Sequence, residues 1–131
     1  MSRLSAVELD KRPFKGKGVD EWLARSEREY RKVVLEMESL SKMSRKQSSS
    51  AWYVYLHHRK VTGQQFLMWR SFGVKHIHLT WDRIEPAVRR MKQDQCGWYE
   101  EMNDQVRLLN AKEVATRKAM KLAQELMEEK T

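Results

Sequence analysis

The residues with the clearest chemical potential lie between positions 51 and 79. Ala51-Trp52-Tyr53-Val54-Tyr55-Leu56 leads into His57-His58-Arg59-Lys60, and Phe66-Leu67-Met68-Trp69-Arg70 follows across Thr62-Gly63. Both apolar runs are rich in aromatic and β-branched residues, which reads as a β-hairpin. Side chains alternate along a strand, so Trp52, Val54 and Leu56 share one face while Tyr53, Tyr55 and His57 share the other. If one face covers helices, the other can offer rings for stacking beside Arg59, Lys60 and Arg70, whose charges meet phosphates. The alternative buries both faces between helices and makes the tyrosines core. Arg59 and Lys60 fall at the hairpin tip, which is exposed under either reading.

His76-Ile77-His78 places two imidazoles on one face of a strand, where they can share a divalent metal. The motif is similar to the His-hydrophobe-His element of single-strand endonucleases of conjugation and rolling-circle replication. Those enzymes pair it with a tyrosine, for which Tyr53, Tyr55 or Tyr99 would be nominated. No third ligand stands nearby in sequence, and two ligands rarely make a site, so ordinary surface or phosphate-contacting histidines are the favoured reading. His57 and His58 are adjacent and point to opposite faces. Cys96 has only Lys92, one turn back, as a basic neighbour, which does not describe an activated thiol. Glycine-rich phosphate loops, paired-cysteine zinc patterns and serine-hydrolase elbows are absent. The expectation is a protein without catalytic activity, metal or cofactor.

Charge is segregated along the chain. The net charge is +8, yet from Ser39 to Trp81 there is no Asp or Glu. That stretch holds Lys42, Arg45, Lys46, Arg59, Lys60, Arg70 and Lys75 together with all four histidines. Residues 98–131 carry six Lys/Arg against seven Asp/Glu, a balance of −1. A concentrated positive field attracts polyanions, and nucleic acid is the expected partner. Arg89 and Arg90, with Arg83 and Lys92 nearby, add a basic helix that can lie along a backbone or form only a solvated face.

These residues need elements to hold them. Residues 1–18, with Lys11-Arg12-Pro13-Phe14-Lys15-Gly16-Lys17-Gly18, read as a basic, flexible N-terminal arm, and 19–131 as a single α+β domain. A first helix is expected from about Val19 to Met43, with Asp20 as its N-cap. Its apolar stripe is Val19, Leu23, Tyr30, Val33, Met37 and Leu40. Ser44–Ser50 reads as a linker, and Val74–Leu79 as a third strand. Asp82 and Glu85 match a capping box that opens a helical C-terminal region. Its stripe runs through Ile84, Val88 and Met91, then Trp98, Met102, Val106, Leu109, Val114, Met120, Leu122 and Leu126. Gly97 either kinks one long helix or separates two. The expected fold is therefore α+β: a long N-terminal helix, a two- or three-stranded antiparallel meander, and a long or kinked C-terminal helix.

Pro13-Phe14-Lys15-Gly16-Lys17-Gly18 before Trp22, then Gln65-Phe66-Leu67-Met68-Trp69-Arg70, then Asn103 through Val106-Arg107-Leu108-Leu109-Asn110, carry a resemblance. The chain resembles an uncharacterised family carried by integrative and conjugative elements, some of whose members are labelled integrase regulators. These motifs bring no chemistry of their own. What the resemblance implies is a mobile-element setting, in which small basic proteins act on DNA.

No apolar run approaches the roughly 20 residues that span a bilayer. The single cysteine excludes an internal disulfide and suits a reducing compartment, so a cytoplasmic location is expected. The leading expectation is a DNA-binding accessory or regulatory protein acting through Arg45, Lys46, His57, Arg59, Lys60, Arg70, Lys75, Arg89 and Arg90. The alternative is an adaptor whose C-terminal helix docks a protein partner or a second copy. A metal-dependent single-strand nuclease ranks third.

Overall fold

The computed structural model describes residues 17–47, 52–73 and 77–129. Helix α1, Lys17–Gln47, is followed by strands β1, Trp52–His58, β2, Gln65–Ser71, and β3, His78–Leu79. Helices α2, Trp81–Val88, and α3, Gln93–Glu129, complete the chain. The strands form an antiparallel sheet in the order β1-β2-β3, so the α+β meander between long helices is the observed fold. The basic arm expected over residues 1–18 lies outside the described residues up to Gly16, and Lys17 and Gly18 already belong to α1.

Two compact units divide the chain. One spans residues 33–114; the other joins α1 up to Lys32 with α3 from Ala115. In the latter, the buried positions among the described residues are the small Ser26 and Ala123. The remainder of this subsection concerns 33–114, which holds the sheet.

Its core follows from two periods meeting. Val33, Met37 and Leu40 of α1 recur at helical spacing, as do Tyr99, Met102, Val106 and Leu109 of α3, and each set buries one helical stripe. Between them lies the sheet face of Val54, Leu67 and Trp69, joined by Ile84 and Val88 of α2. Trp52, Leu56 and Leu79 pack at its margin. Register explains this selection: Val54 pairs with Trp69, Leu56 with Leu67, and Trp69 with Leu79, so all sit on one side of the pleat.

Polar side chains from the helices close the sheet's edges. Ser44 is fully buried, and its Oγ accepts from the Val54 N–H at 2.9 Å on the outer edge of β1. Ser41 Oγ donates to the Val54 carbonyl at 2.8 Å. Among the described residues, β3 pairs with Trp69 and Arg70 and Ile77 C=O accepts from Ser71 N–H at 3.0 Å, so the edge at residues 65–67 has no strand neighbour. There the Asn110 amide accepts from Leu67 N–H at 2.7 Å and donates to Leu67 C=O at 3.0 Å, and Glu113 Oε2 accepts from Gln65 N–H at 2.9 Å. These side chains take the place of a missing neighbour strand, satisfying backbone groups that would otherwise recruit another chain.

Several boundaries differ from the sequence expectation. Helix α1 begins at Lys17, so Asp20 sits in the first turn, where the helix dipole favours a carboxylate, rather than at the N-cap. It also runs through Gln47, because Ser44 is occupied with Val54 instead of opening a linker; Ser48–Ser50 lie outside the described residues. The third strand is limited to His78–Leu79, and positions 74–76 are outside the described residues. Thr80, without a side-chain cap, precedes α2, so Asp82 and Glu85 form no capping box; Glu85 pairs with Arg89. Gly97 lies inside a continuous α3. The break falls earlier, where Arg90 N–H bonds Ala87 C=O and Met91 N–H bonds Val88 C=O, a tightening that ends α2.

Candidate nucleic-acid interface

The opposite face of the sheet is built from the alternate positions. Tyr53, Tyr55 and His57 of β1 stand against Arg70, Met68 and Phe66 of β2, and His78 of β3 lies across from Arg70. None of these belongs to the main core cluster, although Tyr53 is itself buried. The hairpin alternatives are each met in part: the Trp52-Val54-Leu56 face packs on the helices, Tyr53 on the other face is also buried, with Arg45 of α1 on its ring, and Tyr55 and His57 are half-buried.

Rings cover this surface in mutual contact. Tyr55 stacks on His78 with centroids 5.8 Å apart and planes inclined by 27°. His57 meets Phe66 at 5.0 Å and His78 at 5.7 Å. Tyr53 packs on Phe72 at 4.6 Å and is itself buried. Tyr55, His57, Phe66 and Met68 are half-buried, while Phe72 and His78 are exposed.

Three guanidinium groups lie on those rings: Arg45 is 4.6 Å from the Tyr53 centroid, Arg59 5.4 Å from Phe66 and Arg70 4.1 Å from Tyr55. Arg45 also donates to the Tyr53 hydroxyl at 3.2 Å. Cation–π contact holds the charge flat against the aromatic surface instead of extending it into solvent. Partial burial pushes the His78 pKa below the ordinary imidazole value, with Arg70 and then His57 adding to the effect. Its ring is accordingly neutral near pH 7, which suits stacking.

The hairpin tip is defined by Arg59 N–H donating to Gln64 C=O at 2.8 Å and Gly63 N–H to Arg59 C=O at 2.9 Å. Gly63 has φ +74°, which favours glycine, and it lets Arg59 and Lys60 project at the tip beside the exposed Val61.

Of the residues singled out from sequence, Arg45, His57, Arg59 and Arg70 converge on this face. Lys60 is exposed at the tip, and Lys46 is exposed at the end of α1. Lys75 lies outside the described residues. Arg89 and Arg90 stand apart. They follow α2, whose Ile84 and Val88 enter the core on the other side of the sheet, and Arg89 is engaged by Glu85. Phe66, Phe72 and His78 are members that the sequence did not join to the hairpin site. For Phe66 the signal was available, since pairing across a two-strand register fixes its face once that of His57 is known.

Of the two histidines of the His-hydrophobe-His motif, His76 lies outside the described residues and His78 stacks on Tyr55. Among the described residues, no group of three or more His, Cys, Asp or Glu is placed to hold a metal ion. The half-buried Cys96 thiol is pushed up by desolvation and then by Glu100, so it stays protonated at neutral pH. No described helix is long and apolar enough to cross a membrane.

On the helix side of the same unit, a cavity of about 560 Å³ is lined by Trp81, Asp82, Glu85, Glu100, Asn103, Asp104 and Arg107. Its four carboxylates stand beside Arg107, whereas residues 39–81, which supply the sheet, contain no Asp or Glu. Comparison with family models, with curated proteins and with solved structures gave no match for this chain.

Proposed function

We propose that the chain is a DNA-binding accessory or regulatory protein whose interface is the tyrosine-histidine face of the sheet. The observation that carries this reading is the joint placement of aromatic rings and three arginines on one face of a sheet whose own stretch, residues 39–81, holds no Asp or Glu. Rings give sequence-tolerant stacking and guanidinium groups give phosphate contacts, and together they describe a polyanion site with planar substituents. The resemblance to proteins of integrative and conjugative elements supports a role on DNA within a mobile element. The protein acts by binding and has no catalytic step of its own.

Arg59→Ala combined with Lys60→Ala tests the assignment. Both residues are exposed at the tip, so the melting temperature should hold while DNA affinity falls and the salt slope shrinks by about 2. Unchanged affinity, or loss of folding, contradicts the placement.

A second reading rests on Leu122 and Leu126, which are exposed one turn apart on α3. An apolar pair of this kind can dock a protein partner or a second copy. A concentration-independent monomer by sedimentation would remove the self-association form of that reading.

A further inference from the structure

Resting on the nucleic-acid reading above, we infer that the sheet face selects single-stranded over double-stranded nucleic acid, with unpaired bases stacking on His78 and Phe66 and the backbone passing Arg59 and Arg70. The argument begins with what a duplex would require. Reading a major groove takes long side chains that project donors and acceptors to base edges. This face has few. Arg70 lies flat on Tyr55 with its Nε buried and without a hydrogen-bond partner, and Arg45 is folded onto Tyr53. The other side chains of the face are rings and a methionine, which offer faces and edges at short reach.

Duplex bases are already stacked on each other and cannot use those rings. Unpaired bases can, and base–aromatic stacking accepts any base because each has a π-face. The arrangement also fits by dimension. His57 and Phe66 pair across β1 and β2 with centroids 5.0 Å apart, and the His78 ring, whose backbone lies opposite Arg70, reaches diagonally to within 5.7 Å of His57. Those two spacings give a run of three rings about 10 Å long. That length accommodates roughly two or three bases, as on other sheet platforms that take single strands. Charge selects the occupant: an apolar peptide would gain nothing from three arginines, and the 39–81 stretch contains no carboxylate to repel a phosphate.

The test measures anisotropy of a fluorescein-labelled oligothymidylate of about 12 nucleotides, and of a duplex of equal length, at low salt. The full chain is compared with His78→Ala, and with His78→Ala carrying Phe66→Leu. His78 is exposed, so the single variant folds even if the double one does not. The expected result is single-strand binding at least about tenfold tighter than duplex, weakened roughly tenfold per ring removed, with duplex affinity unmoved. Equal or tighter duplex binding overturns this inference and leaves the nucleic-acid reading standing. A single-strand preference that survives intact in folded variants overturns the stacking assignment. Binding to neither probe overturns both readings. Competition by polyglutamate as effective as by unlabelled oligothymidylate would show a generic anion site for an acidic protein and also overturn the inference.

Discussion

His78 shows how one side chain reports on the whole interface. Its imidazole is disfavoured as a cation by partial burial, by Arg70 and by His57, so its pKa in the fold lies below the ordinary value of about 6.5. The stability linked to that shift is complete above about pH 6.5 and is lost as pH falls through the folded value. A phosphate beside the ring acts in the opposite sense, favouring the charged form. DNA affinity should therefore rise as pH is lowered from about 8 to about 5.5, and His78→Gln should flatten part of that rise. Identical pH profiles for the two proteins would mean that no phosphate approaches His78. In His76-Ile77-His78 the spacing allows a metal pair, but without a third ligand it reads as surface or phosphate-contacting histidines; what the spacing does not contain is the β2–β3 register, which sets His78 opposite Arg70, and the stacking on Tyr55. A register across a loop is a tertiary property, and a three-residue motif does not contain it.

Among the elements, what was legible was the apolar spacing. The stripe of Val33, Met37 and Leu40 and that of Met102, Val106 and Leu109 are buried as their periods imply. Less legible were the polar positions on the same stripes. Ser44, Asn103, Asn110 and Glu113 interrupt the apolar pattern, and each is spent on the sheet: Asn103 Oδ1, for instance, accepts from Trp69 Nε1 at 3.0 Å. From sequence Ser44 reads as a linker residue because serine in a serine-rich run favours loops, and its buried bond to Val54 overrides that tendency. The seven-residue interval between Asn103 and Asn110, two turns on one face, was the available signal. Asn110→Ala should cost about 2 kcal/mol in urea unfolding, because Leu67 loses both a donor and an acceptor on the open β2 edge. A cost near zero would mean that solvent satisfies that edge equally well. Gly97 offers the converse case. It is exposed within α3, has no positive φ, and an added Cβ would meet nothing within 4 Å. Gly97→Ala should stabilise the protein by about 0.5–1 kcal/mol, read as a higher melting temperature. A lowered one would indicate that α3 needs a flexible point there.

For the molecule as a whole, the fold converts a one-dimensional charge pattern into a surface. The acid-free stretch of residues 39–81 supplies the sheet, while Asp82, Glu85, Glu100 and Asp104 line a cleft contributed by α2 and α3. Under the nucleic-acid proposal, such a charge asymmetry would orient an encounter before any contact forms. The charge asymmetry was visible in the sequence. The separation of Arg89 and Arg90 from the ring-bearing face was not, since it depends on α2 turning Ile84 and Val88 toward the core. The central claim is that this face binds nucleic acid by displacing counterions. The most direct measurement is the affinity of the full chain for a short DNA across salt from about 50 mM to about 200 mM. The account requires log affinity to fall linearly with log salt, with a slope of about −2 on a single strand and about −3 on a duplex if Arg59, Lys60 and Arg70 each neutralise a phosphate. A flat response, or no binding at the lowest salt, would contradict it.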